Sequence, residues 1–362
     1  MQLKKLILSV VGSLLITSLT PVTVFAVGAG GSCAALYVLP NAAGLRTLSQ
    51  MPELRLMTYN VENLFVHQGQ YERTSAIDMH KKSEPHEKSP EAVQEIANII
   101  HEEHPDLLVL EEVEGDGALT SLNSEYLNND YKTFMLPGND VRGIQIGFML
   151  KADLDLQVDL ESHKDIMWMD PVDQKEVPLF SRDLPALIVR QKGALAPSLI
   201  VLGNHAKSKR NRPGDHESNI LRTAQFQGIA EIIRGYQQKF GDKIPIILAG
   251  DFNTNVQKSA ELAPIRNILQ DSFDLTEAPI NNLDRVTHTF HPFHGPREAQ
   301  QMDAVMVNAP LAAAIAGIHV YRYKDAQGKM KPLPATFQDR AKNPSDHFPV
   351  IVDISVAPLL AH

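Results

Sequence analysis

Apolar runs alternate with polar clusters along the chain, and the runs fall into strand and helix periods. Leu54-Arg55-Leu56-Met57-Thr58-Tyr59-Asn60 alternates and then ends in polar residues, as a strand feeding a loop does. Ser89-Pro90-Glu91 offers a capping hydroxyl, a proline at the first helical position and an early acid. Val93, Ile96, Ala97 and Ile100 follow at helical spacing, and Pro105 predicts the stop. Asp106 to Leu110 reads as a buried strand running into Glu111-Glu112. Ser198 to Gly203 reads as another, ending at Asn204-His205. A long helix with Phe226, Ile229, Ala230 and Ile233 on one face comes next, then a third such strand, Ile244 to Ala249, ending at Gly250-Asp251-Phe252-Asn253. Met302 to Val307 and Phe348 to Ile354 are two more, each opening beside an acid. No internal repeat, heptad or low-complexity tract stands out. Strand after strand thus meets a cluster of Asp, Glu, Asn and His. If those ends converge at one edge of packed sheets, they build a polar site on a rigid scaffold.

The N-terminus follows a different logic. Lys4 and Lys5 precede an apolar run from Leu6 to Ala26 that closes on Val24-Phe25-Ala26, the layout of a secretory signal peptide over residues 1–26. Pro21 and the hydroxyl-rich tail argue against a membrane anchor, and no later stretch is long and apolar enough to span a bilayer. The mature protein is expected to be secreted or periplasmic, without stable membrane association. Residues 27–52, rich in Gly and Ala, read as a spacer or N-terminal extension, and the main domain is expected over 53–357. Residues 67–90 read as an exposed polar insertion in which His67, His80 and His86 are solvated.

Composition changes this picture little. The 362 residues are 43% hydrophobic and 21% charged, ordinary for a globular protein and wrong for a disordered or fibrous one. Cys33 is the only cysteine, so no intrachain disulfide forms. Gly30-Gly31-Ser32 before it lack the large apolar residue of a lipid-attachment signal. The formal charge of −9 becomes two units more negative without Lys4 and Lys5. An acidic chain can still bind a polyanion through a local basic patch.

Phosphodiester hydrolysis requires a hard cation held by carboxylates, a source of hydroxide, donors for the non-bridging oxygens, and help for the leaving alkoxide. Candidates exist for each. Glu112 at a strand end is a natural magnesium ligand, or else a surface acid beside Glu111 and Glu114. Asp251 and Asn253 in LAGDFNTN can deprotonate or orient water, though a Gly-Asp-x-Asn turn also occurs for its own hydrogen bonds. Asp346-His347 joins an acid to an imidazole just before a strand. Serving one site requires a bend there, and the flanking Pro344 and Pro349 favour one. Asp303 opens an apolar strand; a buried acid needs a partner, and orienting His347 would supply it. His205 heads a run containing Lys207, Lys209 and Arg210, a phosphate-facing patch or a solvated loop. Arg222 and Gln225, one helical turn apart, can face the same way. Trp168 suits either base stacking or packing.

Asn60, Glu112 in LEEVE, His205 in GNHAKSK, Asp251 and Asn253 in GDFN, Asp303 in MDAV and Asp346-His347 in SDHFP stand in an order that resembles the endonuclease/exonuclease/phosphatase superfamily, over about residues 54 to 356. The resemblance implies an α/β fold, a four-layered α/β/β/α sandwich with two mixed sheets packed face to face. It implies an enzyme that hydrolyses phosphodiesters with Mg²⁺ or Mn²⁺, Ca²⁺ being a further candidate. Glu112 would be the principal metal ligand with Asn60 and Asp346 nearby, and Asp251 and Asn253 the pair that orients water and phosphate. His347, held by Asp303, and His205 would contact phosphate or move protons. Either Asp251 or His347 would be the general base. Two departures are Glu111 in place of the usual Gln, and Glu62 in place of a shorter acid. MTYNVENLF, NHAKSK, Arg222-x-x-Gln225 and Arg142-Gly143 are similar to bacterial extracellular nucleases, which implies a monomer acting on DNA or RNA, with no obligate protein partner and with Arg142, Lys207, Lys209, Arg210 and Arg222 near the substrate. A lipid phosphodiesterase, an inositol phosphate phosphatase and a catalytically silent binding module are the alternatives on the same scaffold.

Overall fold

Two six-stranded sheets organise the chain, and the strand-forming runs read from the sequence supply their centres. The structure is a computed structural model and describes residues 44–65, 87–291 and 296–361. The signal peptide expected over 1–26, Cys33 and the histidines His67, His80 and His86 lie outside the described residues. The chain divides after Leu45, and residues from Arg46 onward form one compact unit.

In the first sheet β1 (Glu53–Leu64) lies parallel to β2 (Leu107–Glu114), and α1 (Pro90–Glu103) precedes β2 in the chain. Antiparallel strands flank the pair: β16 (Val350–Ser355) and then β15 (Ile315–Val320) beyond β1, β4 (Ile144–Lys151) and then β3 (Tyr131–Met135) beyond β2. The second sheet repeats the plan. β9 (Leu199–His205) and β10 (Ile246–Asp251) are parallel and joined through α3 (Asn219–Phe240). β14 (Asp303–Val307) and β11 (Gln270–Asp271) continue on one side, β8 (Ala186–Gln191) and β5 (Leu156–Glu161) on the other. Both sheets are therefore mixed, and the likeness of their plans was invisible in the sequence.

Period-2 alternation sorts the side chains between layers. Val201, Ile247, Ala249 and Val305 face the other sheet and share a core with Leu56, Val109 and Phe148. The intervening Ile200, Leu202, Leu248 and Met306 face outward and are covered by Phe226, Ile229 and Ile233 of α3. Val93, Ile96 and Ile100 of α1 are buried as the helical spacing predicts. Ser89 caps α1 by accepting a hydrogen bond from the Ala92 N–H, and the helix stops two residues before Pro105, with His104 left-handed at φ 48°. The result is the predicted helix–sheet–sheet–helix sandwich.

Two boundaries differ from expectation. Residues 46–51 are not spacer: Arg46 donates to Asp153 at 2.7 Å and to Asp106 at 3.3 Å, and Leu48 and Met51 are buried. At the other end Leu359 is buried as well, beyond residue 357. Among the described residues no helix is long and apolar enough to cross a membrane.

Gly203 lies where the two sheets approach closely. A Cβ there would stand 2.6 Å from Ile146 Cγ2 and 3.1 Å from a ring carbon of Phe148. Gly203→Val is expected to lower stability by about 1–3 kcal/mol through overpacking, read as a lower urea midpoint at unchanged slope.

Candidate functional site

Packing brings the polar strand ends to one edge. The carboxyl ends of the parallel strands β1, β2, β9 and β10 and the amino ends of β4, β8 and β14 surround a cleft of about 400 Å³. Its lining includes Glu112, Arg142, His205, Lys209, Arg210, Asp251, Asn253, Asp346 and His347.

Local backbone conformation aims several of these groups. A bulge in the β2–β4 pairing lies between Glu111 and Val113, and Glu112 sits in it at φ 63°. The bulge sends neighbouring carboxylates to different places. Glu112 enters the cleft with an oxygen 3.7 Å from His205 Nε2. Glu111 is fully buried and accepts a hydrogen bond from the Thr58 hydroxyl. Burial, with Asp303 adding to it, pushes the Glu111 carboxyl well above its usual range. Gly250 at φ 141° allows the exit of β10, since a Cβ there would lie 1.9 Å from the Asn204 carbonyl oxygen. Asn253 follows at φ 50°. Left-handed non-glycine residues cost free energy and cluster where function requires a fixed geometry.

Asp251 is held on all sides. Asn253 N–H donates to one oxygen at 2.7 Å, and Asn253 Nδ2 donates to the other at 2.8 Å. Asn60 Nδ2 donates to that second oxygen at 3.3 Å, and His205 Nε2 lies 3.6 Å from it. Asn253 Nδ2 also donates to the Ala206 carbonyl, which commits this amide to fixing Asp251. Burial pushes Asp251 up to about 7, with His347 pulling against it and Asp303 and Glu112 adding to it.

His347 forms an ion pair with Asp303, Nδ1 to oxygen at 2.8 Å, with Nε2 4.0 Å from Asp251. Burial opposes charge on this imidazole, but Asp303, Asp251 and Asp346 outweigh it and raise His347 well above ordinary histidine. His205 behaves oppositely: burial, then the Arg182 charge, holds it well below, so it is neutral. The expected bend before β16 is present. Asp346 and His347 both line the cleft, fixed by Ser345, whose hydroxyl accepts from the His347 N–H at 3.0 Å and donates to the Asn60 carbonyl at 2.7 Å. The Tyr323 hydroxyl, itself bonded to Tyr59, donates to the His347 carbonyl.

Several neighbours were not anticipated. His288 lies on β12 (His288–Phe290), its Nε2 3.6 Å from Asp346 and its ring centroid 4.6 Å from that of His347. Burial works to raise Asp346, but His288, His347 and Arg340 outweigh it and hold it well below the usual range. Glu62, singled out in the sequence as a departure from the family pattern, lines the cleft: its carboxylate accepts the Asp346 N–H at 3.0 Å, and burial and Asp346 push it up to about 7. Arg182, buried just before β8, lines the cleft and lies 3.2 Å from Asp140, which Arg142 also pairs with at 2.9 Å. Arg182 before β8 mirrors Arg142 before β4, the one sequence signal that would have found it. Strand β12 is too short for periodicity to reveal His288.

The donor set suits a hard divalent cation. Carboxylates of Glu62, Glu112, Asp251 and Asp346 with the amide of Asn60 offer oxygen ligands. Ligand atoms of Asp251, Asp303 and His347 lie within 4.8 Å of one another, as do those of His288, Asp346 and His347. Glu112 is in neither group.

Other expectations require correction. Arg222 does not face substrate. It is fully buried, ion-paired with Glu261, and donates to the carbonyls of Lys207 and Glu217. Gln225 accepts from the Lys207 N–H and donates to the Leu179 carbonyl, so the Arg222-x-x-Gln225 pair braces the 207–217 loop from behind. Lys207 itself does not line the cleft, whereas Lys209 and Arg210 do. Trp168 packs on the core beneath α3 and has no part in the cleft.

No protein-family model and no curated protein matches the sequence. Solved structures do match. TDP2 from C. elegans aligns with a TM-score of 0.55 at 16% identity, over 84% of this chain and 75% of that one. D. rerio TDP2 complexed with a single strand DNA product aligns at 0.52 and 15%, over 83% and 98%. The endonuclease/exonuclease/phosphatase from Bacteroides vulgatus aligns at 0.50 and 14%, over 84% and 98%. The chain therefore shares its fold with these proteins, an endonuclease/exonuclease/phosphatase among them.

Arg222→Met strands Glu261 without its partner and is expected to cost about 3 kcal/mol in urea unfolding. Lys209→Met is expected to leave stability unchanged, within about 0.5 kcal/mol.

Proposed function

We propose that this chain is an exported, divalent-metal-dependent phosphodiester hydrolase whose substrate is nucleic acid, DNA or RNA. The observation that carries the reading is the His347–Asp303 ion pair at 2.8 Å, set against Asp251 and His205 in a cleft with a basic wall. The protonation pattern supports a division of labour. Asp251, near 7, can take a proton from water at neutral pH while Asn253 and Asn60 hold it in place. His347, kept charged by Asp303, is the group that donates to a phosphoryl oxygen or to the leaving alkoxide. Of the two candidate bases this favours Asp251. Neutral His205 offers a hydrogen bond without adding charge. Arg142, Arg182, Lys209 and Arg210 attract the anionic substrate into an acidic protein.

Glu112 and Asp346, with Asn60, are the residues that would hold Mg²⁺ or Mn²⁺, Ca²⁺ being the other oxygen-seeking candidate. When bound, such an ion neutralises and polarises the phosphate. TDP2 complexed with a single strand DNA product shares the fold, which supports nucleic acid as the substrate class. Lys4, Lys5 and the apolar run to Ala26 support export.

The test is a panel of plasmid DNA, RNA, bis-p-nitrophenyl phosphate and phospholipid vesicles, with and without chelator. Nucleic acid is expected to be cut, EDTA to stop it, and Mg²⁺ or Mn²⁺ to restore it. His347→Ala is expected to lower kcat about 10²–10⁴-fold, and to lower the melting temperature as well, since it leaves buried Asp303 without its partner. Phosphocholine release without nuclease activity would make this a lipid phosphodiesterase. No turnover and no shift in melting temperature on adding Mg²⁺ would leave a binding module.

A further inference from the structure

Asp140 is not among the residues lining the cleft, yet two of the cleft's cations close on it. It stands in the segment before β4, its side chain 9% exposed. Its Oδ1 accepts from the Arg142 N–H at 2.9 Å and from Arg142 Nε at 3.1 Å. Its Oδ2 accepts from Arg142 Nη2 at 2.9 Å, and Arg182 Nε lies 3.2 Å from that same oxygen. Burial works against the charge on Asp140, but Arg142 and Arg182 outweigh it and hold the carboxyl below its usual range. The hydrolytic steps make no use of this acid.

The surrounding backbone fixes where the carboxylate stands. The Gly138 N–H donates to Gln145 Oε1 at 2.7 Å, the Asn139 N–H to the Arg182 carbonyl at 3.1 Å, and the Gly143 N–H to the Asp140 carbonyl at 2.9 Å. The segments before β4 and β8, each carrying one of the two arginines, are thereby tied together. Two guanidiniums side by side repel each other, and Arg182 is buried. A shared carboxylate offsets that repulsion and holds both in one geometry. Beyond Arg182 the contacts continue to the proposed base. Arg182 Nη1 donates to the Ala206 carbonyl at 3.2 Å. Asn253 Nδ2 donates to the same carbonyl at 3.1 Å and to Asp251 at 2.8 Å.

We propose that Asp140 is a positioning residue: it holds Arg142 and Arg182 side by side, set for the charge that gathers on the phosphoryl oxygens during cleavage. The inference rests on the hydrolase reading and adds to it a residue that acts without touching substrate. Donors fixed in advance stabilise the transition state without reorganising, so their alignment is felt in kcat. A role confined to net charge has the opposite sign. An acid near the cleft repels a polyanion, and neutralising it strengthens substrate binding.

The test is steady-state cleavage of an oligonucleotide in Mg²⁺ or Mn²⁺ by wild type, Asp140→Asn, Asp140→Glu, Arg142→Met and the Asp140→Asn/Arg142→Met double variant, all below their melting temperatures. Asp140→Asn is expected to lower kcat about 10- to 100-fold, with KM no higher than that of wild type. Asp140→Glu keeps the charge but moves the carboxylate by one methylene, so kcat is expected to fall at unchanged KM. The double variant is expected to lose less than the product of the two single losses, because both substitutions break the same ion pair. A lower KM at unchanged kcat in Asp140→Asn, or single losses that simply multiply, would overturn the positioning role and leave the hydrolase intact. If Asp140→Asn does not fold, Asp140→Glu decides, and wild-type kcat in that variant overturns the proposal. Absence of cleavage by wild type would overturn both readings.

Discussion

Polar contacts across the seam between the two sheets hold the candidate site together, and each pairs a residue of one sheet with a residue of the other. Asn60 of β1 reaches Asp251 of β10 at 3.3 Å. Glu112 of β2 stands 3.7 Å from His205 of β9. His347, leading into β16, binds Asp303 of β14 at 2.8 Å. The geometry is a consequence of packing. Both sheets bury their inner faces against each other, and both place a parallel pair at the centre with carboxyl ends at the same edge. Where the apolar facing residues run out, the next residues on each strand face one another, and they are acids, amides and imidazoles.

That location also sets the electrostatics. Behind the seam lies a dry core of low dielectric, where a charge without a partner is costly and a paired one is held strongly. The acids therefore separate into different states. Asp346 is held ionised by His288, His347 and Arg340, while Glu62 and Asp251 are driven up to about 7. Glu111, one residue from Glu112 but turned inward by the bulge, is pushed well above the usual carboxylate range by burial. Groups of one chemical type thereby acquire different roles, as acid–base chemistry at neutral pH requires. The backbone is strained where this happens, with Glu62, Asn63, Glu112 and Asn253 all left-handed. The sheets behind them supply the rigidity that keeps such conformations populated.

The outer parts of the cleft obey a different constraint. Lys209 and Arg210 sit on a loop that Arg222, Gln225 and Ser218 brace from behind, and Phe290 sits on a two-stranded hairpin tied to His347. These elements lie outside the sandwich core, so their residues answer to what enters the cleft more than to packing. The polar seam and the outer rim of the cleft are thus built by separable parts of the fold.

The sequence by itself determined the central strands, both long helices and the order of the polar strand ends, because alternation, helical spacing and the Ser89-Pro90 start are local signals written in consecutive residues. Asp251, Asp303, His347 and His205 were legible for the same reason, since each directly follows or opens an apolar run. Only the tertiary structure decided which of these meet. It turned Arg222 inward onto Glu261, brought His288 and Arg182 to the cleft from segments without periodicity, and divided Glu111 from Glu112 by a bulge. Those outcomes depend on pairing across sheets and on burial between residues distant in the chain, and such free energies leave no local pattern to read.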